Sequence, residues 1–142
     1  MRDQFYLHFD TMPTGTAQQK GVRIVHGKPM FYEKAEVKTA RQLFTLELKP
    51  HAPKIPSDKP IKLIVWFAFD TKNKKLWGKY KPTRPDTDNS LKLLKDCMTG
   101  LFFKDDSQVV DEQVIKTYAE KATILVRYEE IHEKFRIGEV FK

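Results

Sequence analysis

Apolar and polar positions alternate most cleanly near the end of the chain. There Ala122, Ile124, Val126 and Tyr128 interleave with Thr123, Leu125, Arg127 and Glu129, which predicts a half-buried strand over Ala122–Glu129. Val109–Thr117 reads as the strand before it, joined near Tyr118–Lys121. Ile61–Phe69 is denser, with Leu63-Ile64-Val65-Trp66-Phe67 in a row, and predicts a strand covered on both faces. Phe5–Phe9, rich in aromatic residues, reads as a first strand, and Val22–Val25 and Pro29–Tyr32 flank His26-Gly27-Lys28 as a β-hairpin.

Two segments carry helical spacing instead. Over Glu33–Lys49, Val37, Ala40, Leu43, Phe44 and Leu48 fall on one face, with Lys34, Lys38 and Arg41 elsewhere, and Pro50 stops the run. Over Asp88–Met98, Leu91, Leu94, Met98 and then Leu101 form the apolar face, and Gly100 punctuates the C-terminus. Thr11–Gly21 is a turn-rich loop, His51–Pro60 a proline-rich extended one, and Asp70–Arg84 a loop or ragged hairpin. Glu130–Lys142 has a short mixed pattern that assigns no element. The order of elements predicts an α+β fold, one domain over residues 1–142 with a mixed β-sheet and packed helices.

Charge narrows the function. Lys and Arg number 26 against 19 Asp and Glu, a formal charge of +7, and a cation-rich surface invites phosphate. No stretch approaches the roughly 18 apolar residues of a membrane span, and Met1–Asp10 lacks the apolar run of a signal peptide. A cytoplasmic protein without a membrane role is therefore expected. The single cysteine, Cys97, excludes an intramolecular disulfide and a cysteine-based zinc cluster, and its place near an apolar helix face predicts a buried thiol. His8, His26, His51 and His132 are scattered and read as structural or surface residues.

Against this basic background the acids gather. Asp86 and Asp88 stand at the mouth of the second helix, and Asp105–Asp106 follows about twenty residues later. Asp88 alone reads as a helix cap, and Asp88–Lys92–Asp96 as an exposed ion-pair ladder worth a few tenths of a kcal/mol per pair. Asp86 argues for more, because a second acid beside the cap repels it unless a cation lies between. Two apart in an extended segment, Asp86 and Asp88 would point the same way. If the strand after Asp105–Asp106 lies beside the one before Asp86, the two acidic pairs meet at one edge of the sheet. A calcium loop beginning at Asp86 fails, because its sixth and twelfth positions are Leu91 and Cys97 rather than Gly and Glu. Carboxylates without nearby cysteine or histidine suit Mg²⁺ or Mn²⁺.

The loop before this cluster holds Lys72, Lys74, Lys75, Lys79, Lys81 and Arg84 with no acid between Lys72 and Arg84, and Trp77 and Tyr80 are interleaved. Cations of this kind release counterions from a phosphate backbone, and the rings can stack on unpaired bases. A solvated loop with Trp77 packed on the body of the protein is the other reading. Lys20, Arg23 and Lys28 form a second basic cluster on the hairpin.

The run Asp86-Thr87-Asp88-Asn89-Ser90-Leu91-Lys92, then Asp96, then Lys104-Asp105-Asp106-Ser107-Gln108-Val109-Val110 and Lys116 resembles the RusA-type Holliday-junction resolvases. That family shows D-x-D-N-x-x-K, a helix, and then D-D-x-Q-V. The resemblance implies a RusA-like fold and a Mg²⁺-dependent homodimeric endodeoxyribonuclease, often prophage-borne, that cuts four-way DNA junctions by paired nicks in recombination and repair. It implies Asp86, Asp88 and Asp106 as metal-binding catalytic carboxylates, with Asp105 as a further candidate, and Lys92 as a catalytic lysine. Lys20, Arg23 and the Lys72–Arg84 cations would then contact DNA. A less selective nuclease for branched DNA, or a junction-binding protein with a decayed site, are the alternatives. The intact Asp86, Asp88, Lys92 and Asp106 argue against decay.

Overall fold

The computed structural model describes residues 2–14, 20–134, 136 and 138. Its elements are β1 (Arg2–Phe9), β2 (Lys20–Val25), β3 (Lys28–Glu33), α1 (Ala35–Leu48), β4 (Ile61–Asp70), α2 (Thr87–Met98), β5 (Val109–Ala119) and β6 (Ala122–Glu130). Four strands form one mixed sheet in the order β1-β6-β4-β5, and β2 pairs with β3 alone as a second sheet. The β1–β6 and β6–β4 pairs are antiparallel, and β4–β5 is parallel. This is the predicted α+β fold.

Both helices pack on one face of the sheet. The alternation in β6 buries Ala122, Ile124, Val126 and Tyr128, which stand beside Phe5 and Leu7 of β1 and Leu63, Val65 and Phe67 of β4. From the helices, Val37, Ala40, Phe44 and Leu48 of α1 and Leu91, Leu93, Leu94, Cys97 and Met98 of α2 close the core. Phe102 and Phe103, just past α2, are fully buried, worth roughly 1.5–3 kcal/mol each. They lie in a turn without periodicity, so the spacing of α2 gave no sign of them.

Three expectations are corrected. β4 is covered on one face only: Leu63, Val65 and Phe67 are buried, while Trp66 on the other face is 41% exposed. Neither helix crosses to that side. Leu43 of α1 is exposed rather than buried, because the core-facing stripe is narrower than its spacing implies. Leu101 is only partly buried in the turn after α2, which ends in extended backbone at Thr99 before Gly100 turns left-handed at φ +87°. The hairpin turns at His26 and Gly27, both with positive φ (51° and 75°), the arrangement that matches strand twist in a two-residue turn.

Candidate active site

α2 starts one residue earlier than its pattern predicts. Asp86 is its N-cap in extended backbone, and Asp88 lies inside the first turn. The expected cap, Asp88 or Asn89, is therefore displaced, and the extended-chain reason for Asp86 and Asp88 pointing one way does not hold. Asp86 makes no side-chain cap hydrogen bond. Instead Ser90 Oγ donates to the Asp86 carbonyl at 3.1 Å. The ladder is absent as well: among the described residues no ion pair within 4.0 Å joins Asp88, Lys92 or Asp96. Asp86, Asp88 and Lys92 are all exposed. Two carboxylates thus sit uncommitted at a helix N-terminus, where the backbone N–H groups and the dipole favour anions.

A cleft of about 540 Å³ opens beside Asp86. It is lined by Asp86, the N-cap of α2, with Asn89, Ser90 and Leu93 of that helix, by residues 12–14 and Glu36, and by the core rings of Phe44, Phe67 and Phe69. The Met12 amide donates to Asp70 Oδ1 at 3.0 Å, which ties that loop to the end of β4. Asp88 and Lys92, one turn apart, lie outside the lining of the cleft.

Lys116 holds this corner together. It lies on the helix-side face of β5, level with Phe67, and its ammonium donates to the carbonyls of Thr83 at 2.7 Å and Pro85 at 2.6 Å. Both carbonyls belong to the segment that delivers Asp86, which includes a cis Arg84–Pro85 bond. The sequence marked Lys116 only as part of a motif; an inward-facing lysine on a strand was the available signal. Lys116→Met is expected to lower the unfolding free energy by about 1–3 kcal/mol, read by urea denaturation. An unchanged midpoint would mean that water replaces the ammonium at no cost.

The second acidic pair lies elsewhere. β5 does run beside β4, but parallel to it, so Asp105 and Asp106 enter at the opposite end from Asp86. Lys104 and Gln108 bond to Ser57, just before β4. From the Ile61 level to the Phe67 level is about 20 Å of strand at about 3.3 Å per residue, and α2 spans a similar length along the sheet, about 18 Å. Among the described residues no three Asp, Glu, His or Cys side chains gather to hold a metal ion. The expected meeting of the two pairs within one chain is overturned by strand direction.

The two acids differ. Asp105 caps a short 3₁₀ turn: its carboxylate accepts from the Ser107 amide at 2.9 Å, and the Gln108 side chain accepts from the Asp105 amide at 2.8 Å. The Ser107 backbone N–H holds the Asp105 carboxyl below the usual range. Asp106 is half-buried beside it and caps no turn.

The basic loop divides too. Lys72, Lys74, Lys75, Lys79 and Arg84 are exposed, as is Tyr80. Lys81 turns inward, with Nζ 5.3 Å from the ring centres of Phe69 and Tyr118 and 2.6 Å from Thr83 Oγ1. Trp77 is half-buried and its indole N–H donates to the Thr71 carbonyl at 2.8 Å, which ties the ring to its own loop and leaves part of it open. Arg23 lies over the Tyr32 ring at 5.7 Å; the Lys20 side chain lies outside the described residues. Cys97 is buried, its thiol 3.7 Å from the Arg41 carbonyl, and burial pushes its pKa up. No described helix is long and apolar enough to cross a membrane.

Comparison with known proteins gives this arrangement its context. Residues 10–129 match the endodeoxyribonuclease RusA family. The chain is 39% identical over 134 residues to the crossover junction endodeoxyribonuclease RusA of Lactococcus phage r1t, covering 92% of this chain and all of that protein. It is 31% identical over 130 residues to the uncharacterized protein YqaN of Bacillus subtilis (strain 168), covering 84% of this chain and 91% of that one. Among solved structures, a DegV lipid-binding protein of Thermotoga maritima aligns with a TM-score of 0.35 at 16% identity, over 92% of this chain and 43% of that one. The family match spans the cleft, both acidic pairs and Lys116, and with the phage relative aligned over its whole length it makes this chain a member of the endodeoxyribonuclease RusA family.

Proposed function

We propose that this protein is a Mg²⁺-dependent endodeoxyribonuclease that resolves four-way DNA junctions by paired nicks, acting as a homodimer. One observation carries the reading. Asp86 and Asp88 stand unpaired at a helix N-terminus, directly after a loop whose cations are uninterrupted by acid. Mg²⁺ is commonly held by one or two carboxylates with waters and substrate phosphate oxygens, so this pair fits that ion, with Mn²⁺ as its nearest substitute. When bound, the ion supplies a polarised phosphate oxygen and a more acidic water.

The chain's own residues do the rest. Lys72, Lys74, Lys75, Lys79 and Arg84 draw the phosphate backbone toward the end of the sheet where Asp86 stands. Lys116 fixes the backbone just before Asp86. Lys92, a turn from Asp88, offsets the negative charge that grows on the phosphate as the bond breaks. Asp106 is too far away to join Asp86 within one chain. A two-fold partner can bring its own Asp106 to Asp86 and Asp88, and the same symmetry sets two sites against the near-symmetric strands of a junction.

Asp105 and Asp106 then separate by test. Asparagine caps as well as aspartate, so Asp105→Asn is expected to keep nicking within about threefold of the native rate. Asp106→Asn is expected to lose it. The reverse order would assign the metal to Asp105. Substrate choice is tested by matched four-way junction, flap and linear duplex, with the junction expected to be cut fastest. Equal cutting of the flap would make the protein a general branched-DNA nuclease, and tight junction binding without cutting a binding protein.

A further inference from the structure

The sheet face away from the helices carries a second groove, of about 410 Å³. Tyr6, Trp66, Trp77 and Leu125 line it, with Thr117 at its base. Both tryptophans of the chain are therefore in one place. Each indole is anchored through its N–H, Trp66 to Thr117 Oγ1 at 2.8 Å and Trp77 to the Thr71 carbonyl at 2.8 Å. The anchors fix the rings and satisfy their only polar atoms. Trp66 and Tyr6 nonetheless remain 41% and 52% exposed.

Position gives the groove its meaning. It lies at the Ala68 and Thr117–Ala119 ends of β4 and β5, the end of the sheet that also carries Asp86. The loop between β4 and α2 leaves the groove at Trp77 and Gly78, is pinned to β5 by the Tyr80–Thr117 bridge, and reaches Asp86. Lys72, Lys74, Lys75 and Lys79 are exposed along it. Glu120 is the one acid in the lining.

We propose that this groove takes unpaired bases of a DNA strand whose phosphates lie along the exposed lysines of the loop, with the bases against Trp66 and Trp77. The proposal rests on branched DNA as the substrate, since base pairs at an open crossover lose a stacking neighbour that a duplex keeps and are opened at lower cost. Aromatic rings bordered by cations are the means by which single strands are held without regard to sequence. A second copy of this chain fits less well. Two copies meeting here would press two acid-free lysine runs together, whereas a phosphate backbone turns the same charges into attraction.

Because both tryptophans line the groove, intrinsic fluorescence reports its occupancy. The test titrates the full chain with fluorescein-labelled oligothymidine and with duplex of equal length, both in EDTA, following tryptophan emission and label anisotropy together. Oligothymidine is expected to quench emission in step with anisotropy, and duplex to bind with little quenching. Trp66→Leu should weaken oligothymidine binding by about tenfold, and Trp66→Tyr should restore most of it with far-ultraviolet circular dichroism unchanged in both. Anisotropy saturating with emission unmoved would overturn the proposal, as would emission that follows protein dilution instead of DNA, the mark of a self-interface. Junction cutting is measured on the same preparations. Quenching without cutting would sustain the groove and defeat the nuclease reading; cutting without quenching would do the opposite.

Discussion

Mixing Asp88→Asn chains with Asp106→Asn chains is expected to restore nicking that neither variant has alone. Asp86 and Asp88 sit at one end of α2 and Asp106 beyond the other, with β5 running parallel to β4 between them. If the site is completed by a partner's Asp106, a mixed dimer contains one site with both substitutions and one with neither. Random association of equal amounts makes half the dimers mixed, so about a quarter of native sites return. The product should also differ: each mixed dimer cuts one strand, giving nicked rather than resolved junctions. Were all the acids to act within one chain, both sites of a mixed dimer would stay impaired and mixing would restore nothing.

Lys92→Ala is expected to slow nicking by about 100- to 1,000-fold while leaving junction affinity within a few-fold, because it removes a charge needed chiefly as the bond breaks. Lys92 is exposed and joins no ion pair with Asp88 or Asp96, so its loss should leave stability nearly unchanged. The measurement pairs single-turnover cutting with junction binding in Ca²⁺. Affinity falling as far as the rate would reduce Lys92 to one more phosphate contact.

The sequence made the elements legible where one face alone is buried. β6 and α1 keep strict periods because their other sides meet water or partial cover, and their bounds shift by only a residue or two. β4 misled because Ile64, Trp66 and Ala68 continue the apolar run on the open face, where the second groove lies. The motif acids were equally legible, since Asp86 before a helix and Asp105–Asp106 before a strand are local patterns. Their separation was not. It depends on β5 running parallel to β4, and strand direction is set by the crossover through α2 rather than by any residue near Asp106. Lys116 went unassigned for a similar reason: its partners, the carbonyls of Thr83 and Pro85, are about thirty residues away and have no side-chain signature.

The most direct test of the account uses a four-way junction labelled in turn on each strand, incubated with the native protein in Mg²⁺ or EDTA, beside Asp88→Asn. The account predicts symmetric nicks on opposing strands that need Mg²⁺ and disappear in Asp88→Asn. Nicking that persists in EDTA, or that Asp88→Asn performs at the native rate, would contradict it.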